Sequence, residues 1–244
     1  MTRESVLART LVELADSLVD DFDLVELLST LSERCVEILD IAAAGIMLAD
    51  SDGSLRAMSS SSEAMRVVEL FEVQSQEGPC LDCFHSGEPV VNQDLASLDG
   101  RWPRLAPVAV NAGFLAADAV PMRFRGQIIG ALNLFRSETG SLDGDDVAIA
   151  QALADLATIA ILQNRAAVAQ RDLNAQLTEA LSSRVVIEQA KGMIAERQGL
   201  QVDQAFNRLR RYARNHNLRL ADVARATVAG DIDPNTFSNT PPAR

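Results

Sequence analysis

Aromatic side chains are scarce in this sequence, 4% of 244 residues, with a single tryptophan and a single tyrosine. The dominance of alanine, leucine and valine instead is what a helix-rich protein shows. Only three cysteines occur, Cys35, Cys80 and Cys83, which argues against a disulfide framework and fits a reducing compartment. With two histidines, His85 and His216, far apart in the chain, a hydrolytic triad is implausible. No glycine-rich phosphate loop occurs. The opening residues MTRESVLART lack the layout of a signal peptide, and the longest apolar run, Ile41 to Ala49, is too short to span a bilayer. The expectation is a cytoplasmic protein with no membrane partner and no enzyme activity.

One cluster has a metal-like composition, Cys80-Leu-Asp-Cys83-Phe-His85. Its spacing is not the C-x-x-C-H of covalent haem attachment, and no second cysteine pair exists to complete a zinc site. The remaining donors, Cys35 and His216, fall on predicted helices. No metal and no cofactor are expected. These are read as small residues in a loop after Gly78-Pro79, with a redox pair at Cys80 and Cys83 as the alternative.

Apolar residues make up 48%, enough for real cores, and the formal net charge is −12. The charge is unevenly spread. From Ser182 to Gly230 nine basic residues stand against four acidic ones, so this window is +5 and the remainder −17. A basic end on an acidic body points to an anionic partner. An arginine-rich solvated helix surface would give the same count. Lys191 is the one lysine of the chain.

Proline and glycine punctuate the chain unevenly. Neither occurs from Asp145 to Lys191, a stretch full of Ala, Leu, Gln and Arg. One long helix, or two nearly continuous ones, is expected from about Asp145 to about Arg197, roughly 80 Å if unbroken. Upstream, Leu7, Leu11, Leu14 and Leu18, then Leu24, Leu27, Leu28, Leu31, Cys35 and Ile38, recur at helical spacing, with Asp23 placed as a cap. Residues 45–58 read as strand, turn, strand, and Glu63 to Val73 as a helix. Glu88 to Asn92 reads as a short strand, and Phe114 to Phe135 as a hairpin turning at Arg125-Gly126. The fold class is α+β, an antiparallel sheet with helices packed on it. Residues 231–244 are polar, carry prolines and are expected to be disordered.

These stretches resemble a known arrangement. LADSLVDDFDLVELLSTLSERCVEILD, AAAGIMLADSDGSLRAMSSSS, QEGPCLDCFHSGEPVVNQDL and AVPMRFRGQIIGALNLF are similar to a GAF domain of the actinobacterial regulator type. SSRVVIEQAKGMIAERQGLQVDQAFNRLRRYARNHNLRLADVA resembles an ANTAR domain, through Ile187 to Gly192, Ala205-Phe206, Leu209-Arg210, Ala213 and Leu220 to Ala224. The resemblance implies a GAF sensing domain over 1–165, a helical coiled-coil linker over 166–182, a three-helix ANTAR bundle over 183–230 and a tail over 231–244. It further implies a module that binds paired RNA hairpins and promotes antitermination, and dimerisation that brings two modules together. An unidentified small molecule is a candidate ligand of the GAF domain.

The residues of the tail module support an anion-binding role independently. Helical spacing puts Val186, Ala190, Met193 and Ile194 on one face, with Arg184 and Lys191 two turns apart beside it. Gly192 is unfavourable in a helix by roughly 1 kcal/mol. It signals close approach either of RNA or of another helix. Val202, Ala205, Phe206, Leu209 and Ala213 form the second helix's stripe; Arg211 points away from it, and Arg208 and Arg214 flank it. Arg210 lies at the stripe's edge, where an internal salt bridge is the alternative. Tyr212 is placed either to stack on an unpaired base or to close the core. The third helix, from about Leu220 to Ala229, buries Leu220, Val223, Ala224 and Val228 and carries Arg225 alone in its body. Charge on the first two helices disfavours major-groove reading by the third, although a DNA-binding factor remains the second reading. Leu173, Leu177, Leu181 and Val185 continue an apolar stripe along the linker and are the expected homodimer contacts. Leu153, Leu156 and Ala160 do the same earlier, where packing on the sensing domain is the alternative.

Overall fold

The computed structural model describes residues 3–17, 23–97 and 101–238. The chain divides after Arg165 into two compact units. The first starts with two helices, α1 (Arg3–Ser17) and α2 (Leu24–Leu39). Asp23 caps α2, accepting from the amides of Val25 at 2.8 Å and Glu26 at 3.3 Å, as the sequence leads one to expect. Leu27, Leu28, Leu31, Cys35 and Ile38 line its buried face. Leu18, part of the expected helical series, lies outside the described residues.

Five strands follow, β1 (Ala43–Ala49), β2 (Leu55–Ser60), β3 (Val90–Asp94), β4 (Ala116–Phe124) and β5 (Gln127–Arg136). They form one sheet in the order β2-β1-β5-β4-β3, every neighbouring pair antiparallel. The β4–β5 hairpin turns at Arg125 and Gly126, both at positive φ (49° and 81°), as a two-residue turn requires. Side chains alternate between the two faces. Ala44, Ile46, Leu48, Val120, Met122, Leu132 and Leu134 face one layer, shared with α2 and with Leu153, Ala157 and Ile161. Ala43, Met47, Ala117, Ala119, Ala131 and Phe135 face the other. That second layer is closed by α3 (Glu63–Ser75), α4 (Pro79–Ser86) and α5 (Leu105–Asn111).

Helix α4 corrects the expected loop after Gly78-Pro79. The residues that suggest a loop are its boundaries: Pro79 occupies the first turn, where its missing N–H is harmless, and Gly87 ends it in the left-handed region at φ 70°. β3 also begins later than expected, at Val90. It is irregular: Asn92, at φ 56°, gives its amide to Asp118, and its side chain pairs with the backbone of Leu142 (2.7 and 3.3 Å).

Helix α6 is a single helix, Gly144–Gln198, close to the expected bounds. The second unit contains its later residues, α7 (Val202–Asn215), α8 (Leu220–Ala229) and a 3-10 turn, Pro234–Phe237. Gly199, at φ 62°, ends α6. Ala190, Ile194, Ala205, Leu209, Ala213, Val223 and Ala224 form the module's core. Val202 and Val228, expected inside, are exposed. Thr227 takes the buried position on α8 and satisfies its hydroxyl on the carbonyl of Val223 at 2.7 Å. The expectation of a disordered tail fails for Asp231–Ser238. Phe237 is 3% exposed and packs in the module's core, so an aromatic anchor outweighs the polar composition around it. Residues 239–244 lie outside the described residues. Among the described residues, no helix is long and apolar enough to cross a membrane.

Candidate nucleic-acid interface and sensing core

The side chains of the second unit expected to meet RNA fall into two groups. Arg184 on α6 and Arg210, Arg211 and Arg214 on α7 are exposed. The buried stripe of α7 (Ala205, Leu209, Ala213) turns its arginines outward. Arg210 and Arg214 make no ion pair among the described residues, so the salt bridge weighed for Arg210 does not form within them. Lys191, Arg208 and Tyr212 are engaged inside the module. The ammonium of Lys191 donates to both carboxylate oxygens of Glu188 at 2.9 Å and lies 5.3 Å from the ring centroid of Phe206, leaving its side chain 14% exposed. Arg208 donates to Gln198, whose amide in turn donates to the carbonyl of Pro234.

Tyr212 is half-buried. His216 stacks on it, with ring centroids 4.0 Å apart and planes 22° apart, and Phe237 meets it edge-on at 5.0 Å. The His216 ring is held by a 2.9 Å contact from Nδ1 to the Tyr212 carbonyl and is exposed. The stacking of His216 on Tyr212 is not read from the sequence, although its position four residues later, one turn along the same face, is the signal for it. The energies also matter. An i,i+3 ion pair on a helix contributes about 0.2–0.5 kcal/mol, so Glu188 holds Lys191 only weakly against a phosphate. Among the described residues, a Cβ added at Gly192 would meet nothing within 4 Å, so no packing contact there accounts for that glycine. Leu173, Leu177, Leu181 and Val185 are 50%, 53%, 66% and 56% exposed. Leu153, Ala157, Ala160 and Ile161 are buried in the first unit, which settles the two alternatives for that earlier stripe in favour of packing on it.

In the first unit, Cys35, Cys80 and Cys83 are free thiols in the core. Burial pushes Cys35 and Cys83 up to about 12, and Cys80 well up, with Glu72 and Glu69 adding to the rise at Cys80. Protonated thiols are poor nucleophiles and poor metal ligands. A cleft beside α4 is lined by Asp82, His85, Ser86, Val90 and Arg101, and Arg101 is tied to Asp82 at 2.9 Å and Gln93 at 2.7 Å. Among the described residues, no group of three His, Cys, Asp or Glu side chains is placed to hold a metal ion.

Under α3 lies a polar group that sequence reading did not single out. Glu69, Glu72 and Asn133 are all 0% exposed. Glu72 Oε1 accepts the amide of Cys80 at 2.8 Å, and Oε2 accepts from Asn133 Nδ2 at 2.9 Å. The hydroxyl of Ser60 donates to Glu69 Oε2. Burial pushes Glu72 up to about 7 against the pull of Asn133 and the Cys80 amide, and pushes Glu69 well above the usual carboxylate range. The sequence did carry a signal: helical spacing puts Glu69 and Glu72 on the face of Met65 and Val68.

The fold of the first unit is that of a sensor class, and comparison with known proteins agrees. The GAF domain family matches residues 23–162, more than half the chain, and the chain belongs to it. The ANTAR domain family matches residues 175–228, so the architecture is that of a GAF–ANTAR regulator. GAF domains are sensor domains, and ANTAR domains are RNA-binding antitermination modules. No curated protein matches the chain. Among solved structures, the GAF domain of a phosphoenolpyruvate-protein phosphotransferase from Coxiella burnetii is 20% identical. The match covers 67% of this chain and 96% of that one, with a TM-score of 0.53. The corresponding GAF domain from Acinetobacter is 16% identical over 68% and 98%, TM-score 0.53. Free methionine-R-sulfoxide reductase from Neisseria meningitidis is 19% identical over 68% and 91%, TM-score 0.53. At these identities the likeness is one of fold.

Proposed function

We propose that this chain is a signal-responsive RNA-binding regulator: two copies join through α6, present two tail modules to paired hairpins in a nascent transcript, and promote antitermination. The observation that carries the reading is the outward arginine set, Arg184, Arg210, Arg211 and Arg214, on a module matched by the ANTAR family, in a chain whose net charge is −12. These arginines bind phosphates. Lys191 joins them by exchanging Glu188 for a phosphate. Arg208 and Tyr212 act from behind, bracing α7 against the C-terminal turn, and the outer face of His216 offers a stacking surface for an unpaired base. The exposed series Leu173, Leu177, Leu181 and Val185 pairs with its copy. The chain is read as non-catalytic, with its thiols buried and protonated. It works in the cytoplasm, where transcripts emerge. A small molecule in the GAF domain is one source of the signal.

The test is binding of the full chain to a two-hairpin RNA and to duplex DNA of equal length across a salt series. Preference for the hairpins, with affinity falling as salt rises, is the expected result. Preference for duplex DNA supports the second reading, a DNA-binding factor, and refutes this one.

A further inference from the structure

The buried acids of the sensing domain lack an element that their surroundings call for. Glu72 is complete as an anion, with one oxygen on the first turn of α4 and the other on Asn133 Nδ2. Glu69 is not. Among the described residues its Oε1 has no hydrogen-bond partner, and neither does Asn133 Oδ1. The donation to Glu72 fixes which way the Asn133 amide points, so its oxygen cannot be turned to exchange roles. Both orphans are acceptors, and what the site lacks is a donor. The sheet register sets them over neighbouring positions: Gly45 pairs with Asn133 across β1 and β5, and Glu69 Oε1 occupies the space where a Gly45 Cβ would stand.

Among the described residues, no basic group acts on the pair. Glu72 acts on Glu69 and Asp82 on Glu72, and the Cys80 thiol on α4 lies close enough to feel both carboxyls. The other polar groups turned toward them are the Cys80 backbone on α4, Ser60 on β2 and Asn133 on β5, with Met47 Sδ on β1 beside the amide. Two anions left bare in this layer would be strongly disfavoured.

We propose that the cluster is a proton-binding site: Glu69 takes a proton from solvent on Oε1 and donates it to Asn133 Oδ1, while Glu72, the first of the pair to ionise, caps α4. One proton then satisfies both orphan atoms. Its loss leaves two facing carboxylates beneath α3 and α4, so alkalinisation opens that layer, and the sensing domain responds to proton activity. The direction agrees with burial, which raises both carboxyls. A folded carboxyl that holds its proton more tightly than the unfolded one contributes stability at acid pH. That stability is lost as pH rises from about 4.5 through about 7 for Glu72, and further for Glu69.

The experiment is a carboxyl-carbon NMR titration of the full chain, labelled at glutamate Cδ, from about pH 5 to about pH 9. The expected result is one glutamate resonance still at its protonated position at neutral pH, absent in Glu69→Gln. That variant should fold, its amide donating to Asn133 in place of the proton. Its folding equilibrium should also lose up to about a tenfold dependence per pH unit above neutrality. If Glu69→Gln does not fold, the wild-type titration decides beside Glu72→Gln, in which the shifted resonance must persist. Titration of every glutamate in the ordinary range, or survival of the shifted signal in folded Glu69→Gln, overturns the proposal. RNA is absent from the assay, so the result is independent of the antitermination reading.

Discussion

Helix α6 carries two apolar series of similar spacing with opposite fates. Leu153, Ala157 and Ile161 sit in the core of the sensing domain, while Leu173, Leu177 and Leu181 stand in solvent. Aliphatic residues at the same four-residue step thus build a core in one half and an uncovered stripe in the other. Periodicity reports that a helix has an apolar face, but says nothing about what covers it. For the first series the cover is this chain's own sheet. For the second, the proposal is another copy of the chain.

Substitutions can separate the two halves. The largest effect is expected at Leu153→Ala, which opens a cavity in a closed core and should lower stability by about 2–5 kcal/mol in chemical denaturation. Next is charge reversal of Arg210, Arg211 and Arg214, which should weaken hairpin binding on the order of 100-fold at low salt. Arg211→Ala alone should flatten the log–log salt slope by about one. Leu177→Asp with Leu181→Asp should weaken self-association at least about tenfold while leaving monomer stability within about 0.5 kcal/mol, read by sedimentation beside thermal melts. An equal loss of stability from the Leu177 and Leu153 changes would erase the contrast. Smallest is Glu188→Gln. It should shift stability by only about 0.2–0.5 kcal/mol and, by releasing Lys191, should tighten RNA binding slightly.

Much of the fold was legible because local and tertiary signals agreed. Asp23 marked the start of α2, Arg125-Gly126 the hairpin turn, and Leu220 to Ala229 the last helix. What was missed involved residues whose role depends on distant partners. Pro79 and Gly87 bracket a helix, yet in sequence look like loop punctuation. Phe237 sits among polar residues and prolines, but docks against Tyr212. Of the candidate nucleic-acid site, the outward arginines could be read from the wheel of α7, whereas the contacts of Lys191 with Phe206 and of Arg208 with Gln198 could not, because these partners come from other elements. Glu69 and Glu72 were on the right face for burial, but the usual assumption that charged residues are solvated hid them.

The central claim, that paired chains set two modules on two hairpins, is tested most directly by the mass of the complex with a two-hairpin RNA, measured by sedimentation equilibrium. The account predicts two chains on each RNA, and loss of that species in the Leu177→Asp, Leu181→Asp variant. A single chain saturating the RNA, with the variant behaving like the parent, would contradict it.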